Sequence, residues 1–179
     1  MSADDGTADD EIDPDSFAAG RAQQQLLRSV HQHLREELQQ IRDVVAQVVD
    51  GETDISAARH HINHLTMRQN YWTLGSFCAS YCRVVAIHHT IEDQTMFPGL
   101  TAQEPALAPV VARLSAEHET IAEVLTGLDD ALVAMVTAPD GLGQVQAWAE
   151  QLTTQLLEHL AYEEEQLLPA IGRLTTRII

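Results

Sequence analysis

The chain contains no lysine. Its ten basic residues are all arginine, set against 27 acids, and the 179 residues carry a formal net charge of -17. A surface of that sign repels nucleic-acid phosphates and anionic headgroups, so neither nucleic acid nor a membrane surface is an expected partner. Aromatic residues make up only 4%, with nine glycines and six prolines. That scarcity disfavours a β-sandwich, whose strands draw on aromatic residues and whose turns draw on Gly and Pro. The two cysteines, Cys78 and Cys82, cannot build a disulfide framework, and at i, i+4 on one helix they diverge too far to pair easily. They read as reduced, buried thiols of a cytoplasmic protein. No run approaches eighteen apolar residues, and the acidic N-terminus is the opposite of a secretion signal.

What remains is 45% hydrophobic and rich in Ala, Leu, Val, Gln and Glu, the composition of packed helices in one domain. Seven acids (Asp4, Asp5, Asp9, Asp10, Glu11, Asp13 and Asp15) and no base fall in the first twenty residues. Residues 1–20 therefore read as a disordered acidic tail, and residues 21–177 as the folded domain. Turn signals at Asp50-Gly51-Glu52-Thr53-Asp54, from Pro98-Gly99 to Pro109, and at Ala138-Pro139-Asp140-Gly141 cut that domain into segments.

Within the segments the hydrophobic period is helical. Leu27, His31, Leu34, Leu38, Ile41, Val45 and Val48 follow alternating steps of four and three. Val111, Leu114, His118, Ile121, Leu125, Leu128 and Leu132 follow a similar stripe. Cys78, Tyr81, Val85, His88, Glu92 and Thr95 form a third seam, and Leu152, Leu156, His159 and Glu163 a fourth. The expected fold is all-α, an up-down-up-down four-helix bundle. Each helix then places one histidine on the face that should be core. Helix rise puts three of them at one level: His31 lies 19 residues before Asp50, His118 lies 19 before Thr137, and His159 lies 18 after Gly141. At about 1.5 Å per residue each stands roughly 28 Å from the same end. At the other end, helix limits are expected near Arg21, Pro98, Ala108 and Pro169. The second helix is too long for this scheme, so residues 55–66 are expected to form a separate excursion, with the bundle helix starting near Met67–Asn70.

Two of the histidines carry a glutamate one turn later, His88-x-x-x-Glu92 and His159-x-x-x-Glu163, each with a proline ten residues after the histidine. Side chains at i and i+4 are neighbours on a helix surface, so each pair can offer an imidazole and a carboxylate to one metal. Four imidazoles and two carboxylates suit iron and could accept zinc or manganese. For two irons, with about twelve coordination positions, this set and a bridging oxygen leave about two open. The Glu-x-x-His signature of ferritin-like di-iron bundles is absent from both repeats.

These motifs resemble the hemerythrin-like, or HHE cation-binding, family. The matching pieces are Val30-His31 through Leu38, His88-His89-x-x-Glu92-Asp93 through Pro98, Leu114-x-x-Glu117-His118 and His159-Leu160-x-x-Glu163-Glu164. The resemblance covers roughly residues 21–170. It implies a four-helix bundle holding two iron ions with an oxo or hydroxo bridge, with His31, His88, Glu92, His118, His159 and Glu163 as ligands. It further implies binding of a small diatomic or peroxide ligand. The oxygen-carrying members have a second histidine four residues after the one on the third helix, and here that position is Ala122. On this pattern the chain looks more like the bacterial members associated with peroxide, NO or iron-related stress, which implies binding of, and reaction with, O2, peroxide or NO in redox-stress defence.

Other residues compete for these roles. His33 rivals His31 but lies off the stripe, and His89, paired with Asp93, is a candidate extra or outer ligand. Tyr81 and Tyr162 lie on or beside the seam, where a hydroxyl could face the centre. His60, His61 and His64 read as a solvated helix face, as do Arg35, Glu36 and Glu37, and Trp72 and Trp148 as core or bundle-end anchors. The alternative functions are a non-catalytic sensing or storage module for O2, NO or iron, and a metal-dependent hydrolase. The last lacks polar cleft residues beyond the ligands.

Overall fold

The structure, a computed structural model, describes residues 17–53, 78–137 and 141–175. Most of the acidic tail, the expected excursion at 55–66, the start near Met67–Asn70, His60, His61, His64 and Trp72 lie outside the described residues.

The described residues form four helices and include no strand. Helix α1 runs Ala18–Thr53. Helix α2 covers 78–91, widens into a π-helical turn at Glu92–Met96 and resumes as α-helix over Phe97–Gln103. A 3-10 turn, Pro105–Leu107, leads into α3, Ala108–Thr137, and α4 spans Leu142–Gly172. The helical stripes meet in the core: Leu34, Leu38, Ile41, Val45 and Val48 of α1 pack with Val85 of α2, Ile121, Leu128 and Leu132 of α3, and Leu152 and Leu156 of α4.

Four boundaries differ from the sequence expectation. Helix α1 begins at Ala18 instead of Arg21 and continues through Gly51 to Thr53. Its early start has a visible cause. The Gly20 N–H donates to the Leu174 carbonyl at 3.1 Å, and a Cβ at Gly20 would sit 2.5 Å from the Ile171 carbonyl, so glycine lets α1 close against the end of α4. Pro169 does not end α4, which continues to Gly172 with Leu168, Ala170 and Ile171 buried.

Pro98 does not end α2 either. In a regular helix its ring would clash with a carbonyl one turn back, and it has no N–H to offer. The π turn absorbs both defects: the Phe97 N–H reaches back five residues to the Glu92 carbonyl, and Pro98 opens the next α-helical turn. The extra residue also shifts the seam. Thr95, expected in the core, is exposed, and Met96 and Phe97 are buried in its place.

The apolar interior is split in two. One cluster extends from Leu34, Val85, Ile121 and Leu160 toward the Val48–Met135 end. The other gathers Leu27, Met96, Phe97, Leu100, Leu114, Leu167 and Ile171. Between them, along each helix, lies a histidine or glutamate: His31 between Leu27 and Leu34, Glu92 between Val85 and Met96, His118 between Leu114 and Ile121, Glu163 between Leu160 and Leu167. Trp148 is half-buried against the first cluster, seated on Gly127, where a Cβ would lie 2.6 Å from its ring.

Two outcomes follow from this packing. Leu128→Ala, at a fully buried position, should cost about 2–5 kcal/mol in denaturant unfolding, whereas Val133→Ala, 65% exposed, should stay within about 0.5 kcal/mol. The thiols provide the second test. Burial pushes Cys78 up to about 12 and Cys82 up to about 11, so both stay protonated through neutral pH. Thiol labelling of the folded chain should be slow at pH 7–8 and should accelerate only toward pH 11 or on unfolding.

Candidate metal centre

The polar layer contains seven converging side chains. His31, His88, Glu92 and Glu163 present donor atoms within 4.8 Å of one another, and so do His89, His118 and His159. Every residue of the sequence-derived set is thus present, divided between two clusters, and His89 joins them. The carboxylates lie between the clusters. Glu92 Oε1 is 3.2 Å from His88 Nε2 and 3.9 Å from His31 Nε2, while its Oε2 is 3.5 Å from His118 Nε2. Glu163 Oε2 is 3.3 Å from His31 Nε2 and 3.7 Å from His159 Nε2.

Helix α2 supplies two adjacent histidines, and each faces a different cluster. Successive residues on a helix point about 100° apart, so a helix wedged between α1 and α3 can aim His88 one way and His89 the other. The His89 ring stacks on His118 at 3.9 Å, and Phe97 stacks on His118 at 5.5 Å, a seat that depends on the π turn. His89, which the sequence offers as a candidate extra or outer ligand, stands with His118 and His159. Ala122, where a further histidine was sought, is exposed.

The other candidates fall away from the centre. The His33 side chain is 63% exposed and pairs with Glu37 at 3.2 Å. The Tyr81 hydroxyl donates to the Leu34 carbonyl at 3.1 Å. The Tyr162 ring lies under the Arg113 guanidinium, 3.6 Å from its centroid. Arg35 is more than a solvated charge: it pairs with Glu164 at 2.8 Å, and Glu164 in turn accepts from His31 Nδ1 at 2.8 Å.

The donor chemistry tests whether a cation fits. Among the described residues, the buried polar atoms without a hydrogen-bond partner include Nε2 of His31, His88 and His89 and all four carboxylate oxygens of Glu92 and Glu163. Orphaned buried carboxylates are among the most costly groups a core can hold. His118 and His159 add a sharper constraint. Their Nδ1 atoms meet Asp93 at 3.0 Å and Glu117 at 2.9 Å, and ionised carboxylates only accept, so both protons sit on Nδ1. The two Nε2 atoms then converge at 3.1 Å, a separation that a shared proton or a cation between them can occupy.

The protonation pattern agrees. Burial holds His88 down to about 3 and pushes His89 well below the usual imidazole range, keeping both neutral as metal ligands must be. Burial also lowers His159. Burial and the charge of Glu163 raise Glu92 well above a normal carboxylate. Burial would raise Glu163 too, but the close approach and charge of His31 outweigh it. For His31, burial opposes the proton, yet the Glu163 and Glu92 carboxylates push it up to about 10.

Fold and centre together define a helical bundle whose core is built to bind cations. The sequence model of the hemerythrin HHE cation-binding domain matches residues 23–171, and the chain belongs to that family. No curated protein and no solved structure matches it. No helix among the described residues is long and apolar enough to cross a membrane.

Replacing His159 with Ala removes a converging imidazole and should weaken cobalt(II) binding at least about tenfold, while His33→Ala should leave it unchanged; calorimetric titration of the metal-free chain measures both.

Proposed function

We propose that the polar layer holds two iron ions joined by an oxo or hydroxo bridge, and that the protein binds and reacts with O2, peroxide or NO in redox-stress defence. The observation that carries this reading is the pairing of two histidine clusters with two carboxylates set between them. In it His31 and His88 serve one position, His89, His118 and His159 serve the other, and Glu92 and Glu163 bridge. Five imidazoles, two bridging carboxylates and one bridging oxygen fill about eleven of about twelve coordination positions. About one stays open, room for a small ligand and for little else. When bound, such a pair of ions supplies two-electron redox chemistry; the chain keeps the site dry between two apolar clusters and holds its imidazoles neutral.

His89 also supports the second reading, a non-catalytic module that binds or senses O2, NO or iron. The absence of a histidine at position 122 argued for a more open, reactive centre, and a fifth imidazole from α2 closes one of the two openings that argument relied on. The acidic chain and its two free thiols support a cytoplasmic setting.

Turnover decides between the two. Added to the iron-loaded protein, hydrogen peroxide should be consumed over many equivalents per chain; consumption that halts near one equivalent establishes the binding module. Glu92→Gln should reduce the iron content and any turnover together while leaving the helical circular dichroism intact.

A further inference from the structure

Outside the seven converging groups stand three carboxylates that the proposed centre does not use as ligands. Asp93 accepts from His118 Nδ1 at 3.0 Å, Glu117 from His159 Nδ1 at 2.9 Å, and Glu164 from His31 Nδ1 at 2.8 Å. Each sits one residue from an inner group: Asp93 after Glu92, Glu117 before His118, Glu164 after Glu163. A residue one step along a helix is turned about 100°, so a neighbour of a core-facing side chain lies on the flank and reaches the next helix. The result runs one way round the bundle. Helix α2 supports the histidine of α3, α3 that of α4, and α4 that of α1.

The supports are themselves anchored. Glu164 is paired with Arg35 at 2.8 Å and Glu117 with Arg113 at 2.7 Å, while Asp93 accepts from the Ser115 hydroxyl at 2.8 Å. Despite partial burial, hydrogen bonds from Arg35 and His31 hold Glu164 below the usual carboxylate range, and those from His159 and Arg113 do the same for Glu117. The ring is not complete. Among the described residues no carboxylate supports His88 or His89 at the α1–α2 side.

We propose that Asp93, Glu117 and Glu164 are positioning residues that fix three imidazoles with the proton on Nδ1 and Nε2 turned inward, and that they hold the two metal positions unequally. Two supports serve the His89–His118–His159 position and one serves the His31–His88 position. The inference rests on the dinuclear reading above. A carboxylate behind a ligating imidazole fixes its tautomer and raises the basicity of the inner nitrogen, and its removal typically loosens metal by about 10–100-fold. The consequence is that Glu164 and Glu117 govern different metal ions.

The test uses the full chain loaded with iron-57 and challenged with a chelator, with wild type, Glu164→Gln and Glu117→Gln run side by side. Wild type should release two irons per chain slowly. Glu164→Gln should release one of them about 10–100-fold faster, and Glu117→Gln should release the other. Mössbauer spectra of the iron that remains should therefore differ between the two variants, a signature that general loosening of the fold does not give. Arg35→Gln and Arg113→Gln, one step further out on the surface, should loosen the same iron as their partner variant, by less. Release at the wild-type rate in both glutamate variants overturns the proposal, and so does loss of the same iron in both. If wild type itself holds fewer than two irons, the dinuclear reading fails first, and that is seen before any variant is compared.

Discussion

A layer of seven imidazole and carboxylate groups across the middle of an apolar core is the constraint on which the rest of this structure depends. Removing an ion from water costs several kcal/mol even after relaxation, so two carboxyl groups buried among imidazoles must be neutralised, by protons or by cations. The Glu163 and Glu92 carboxylates favour a proton on His31, and a bound cation would compete with that proton, so folding, protonation and metal binding would be linked through the same few atoms. The two hydrophobic clusters on either side exclude water and carry the stability that the polar layer does not.

The four helices have separate tasks in that layer. α1 and α3 each bring one histidine, and α4 brings a histidine and a glutamate at regular i, i+4 spacing. α2 brings three groups, two of them adjacent, and is the helix that departs from regular geometry. Its π turn reconciles Pro98 with a continuing helix, and the residue it inserts moves Met96 and Phe97 into the core, with Phe97 seated against His118. Local irregularity thus lies where the donor density is highest, a common association for such turns.

Much of this was legible in the sequence. The 4-3 stripes located the buried faces, because burial follows helical period directly: all seven positions of the α1 stripe are buried. The equal distances of the histidines from the helix ends placed them in one layer, because helix rise is nearly constant. What stayed hidden depends on three-dimensional neighbours. Pro98 and Pro169 look like helix ends because proline usually is one, yet tertiary burial and a widened turn carry both helices past them. The sequence offers His89 only as an extra or outer group; its stacking on His118 arises because a helix wedged between two neighbours presents two faces. Arg35 and Glu164 are 129 positions apart in the chain, and only the docking of α1 against α4 makes them the outer support of His31.

The account stands most directly on where metal sits. Anomalous diffraction at the iron edge from crystals of the iron-loaded chain should show two peaks in the core, one bordered by His31 and His88, the other by His89, His118 and His159, with Glu92 and Glu163 between them. A single core peak, or iron found only at surface groups such as His33, would contradict it.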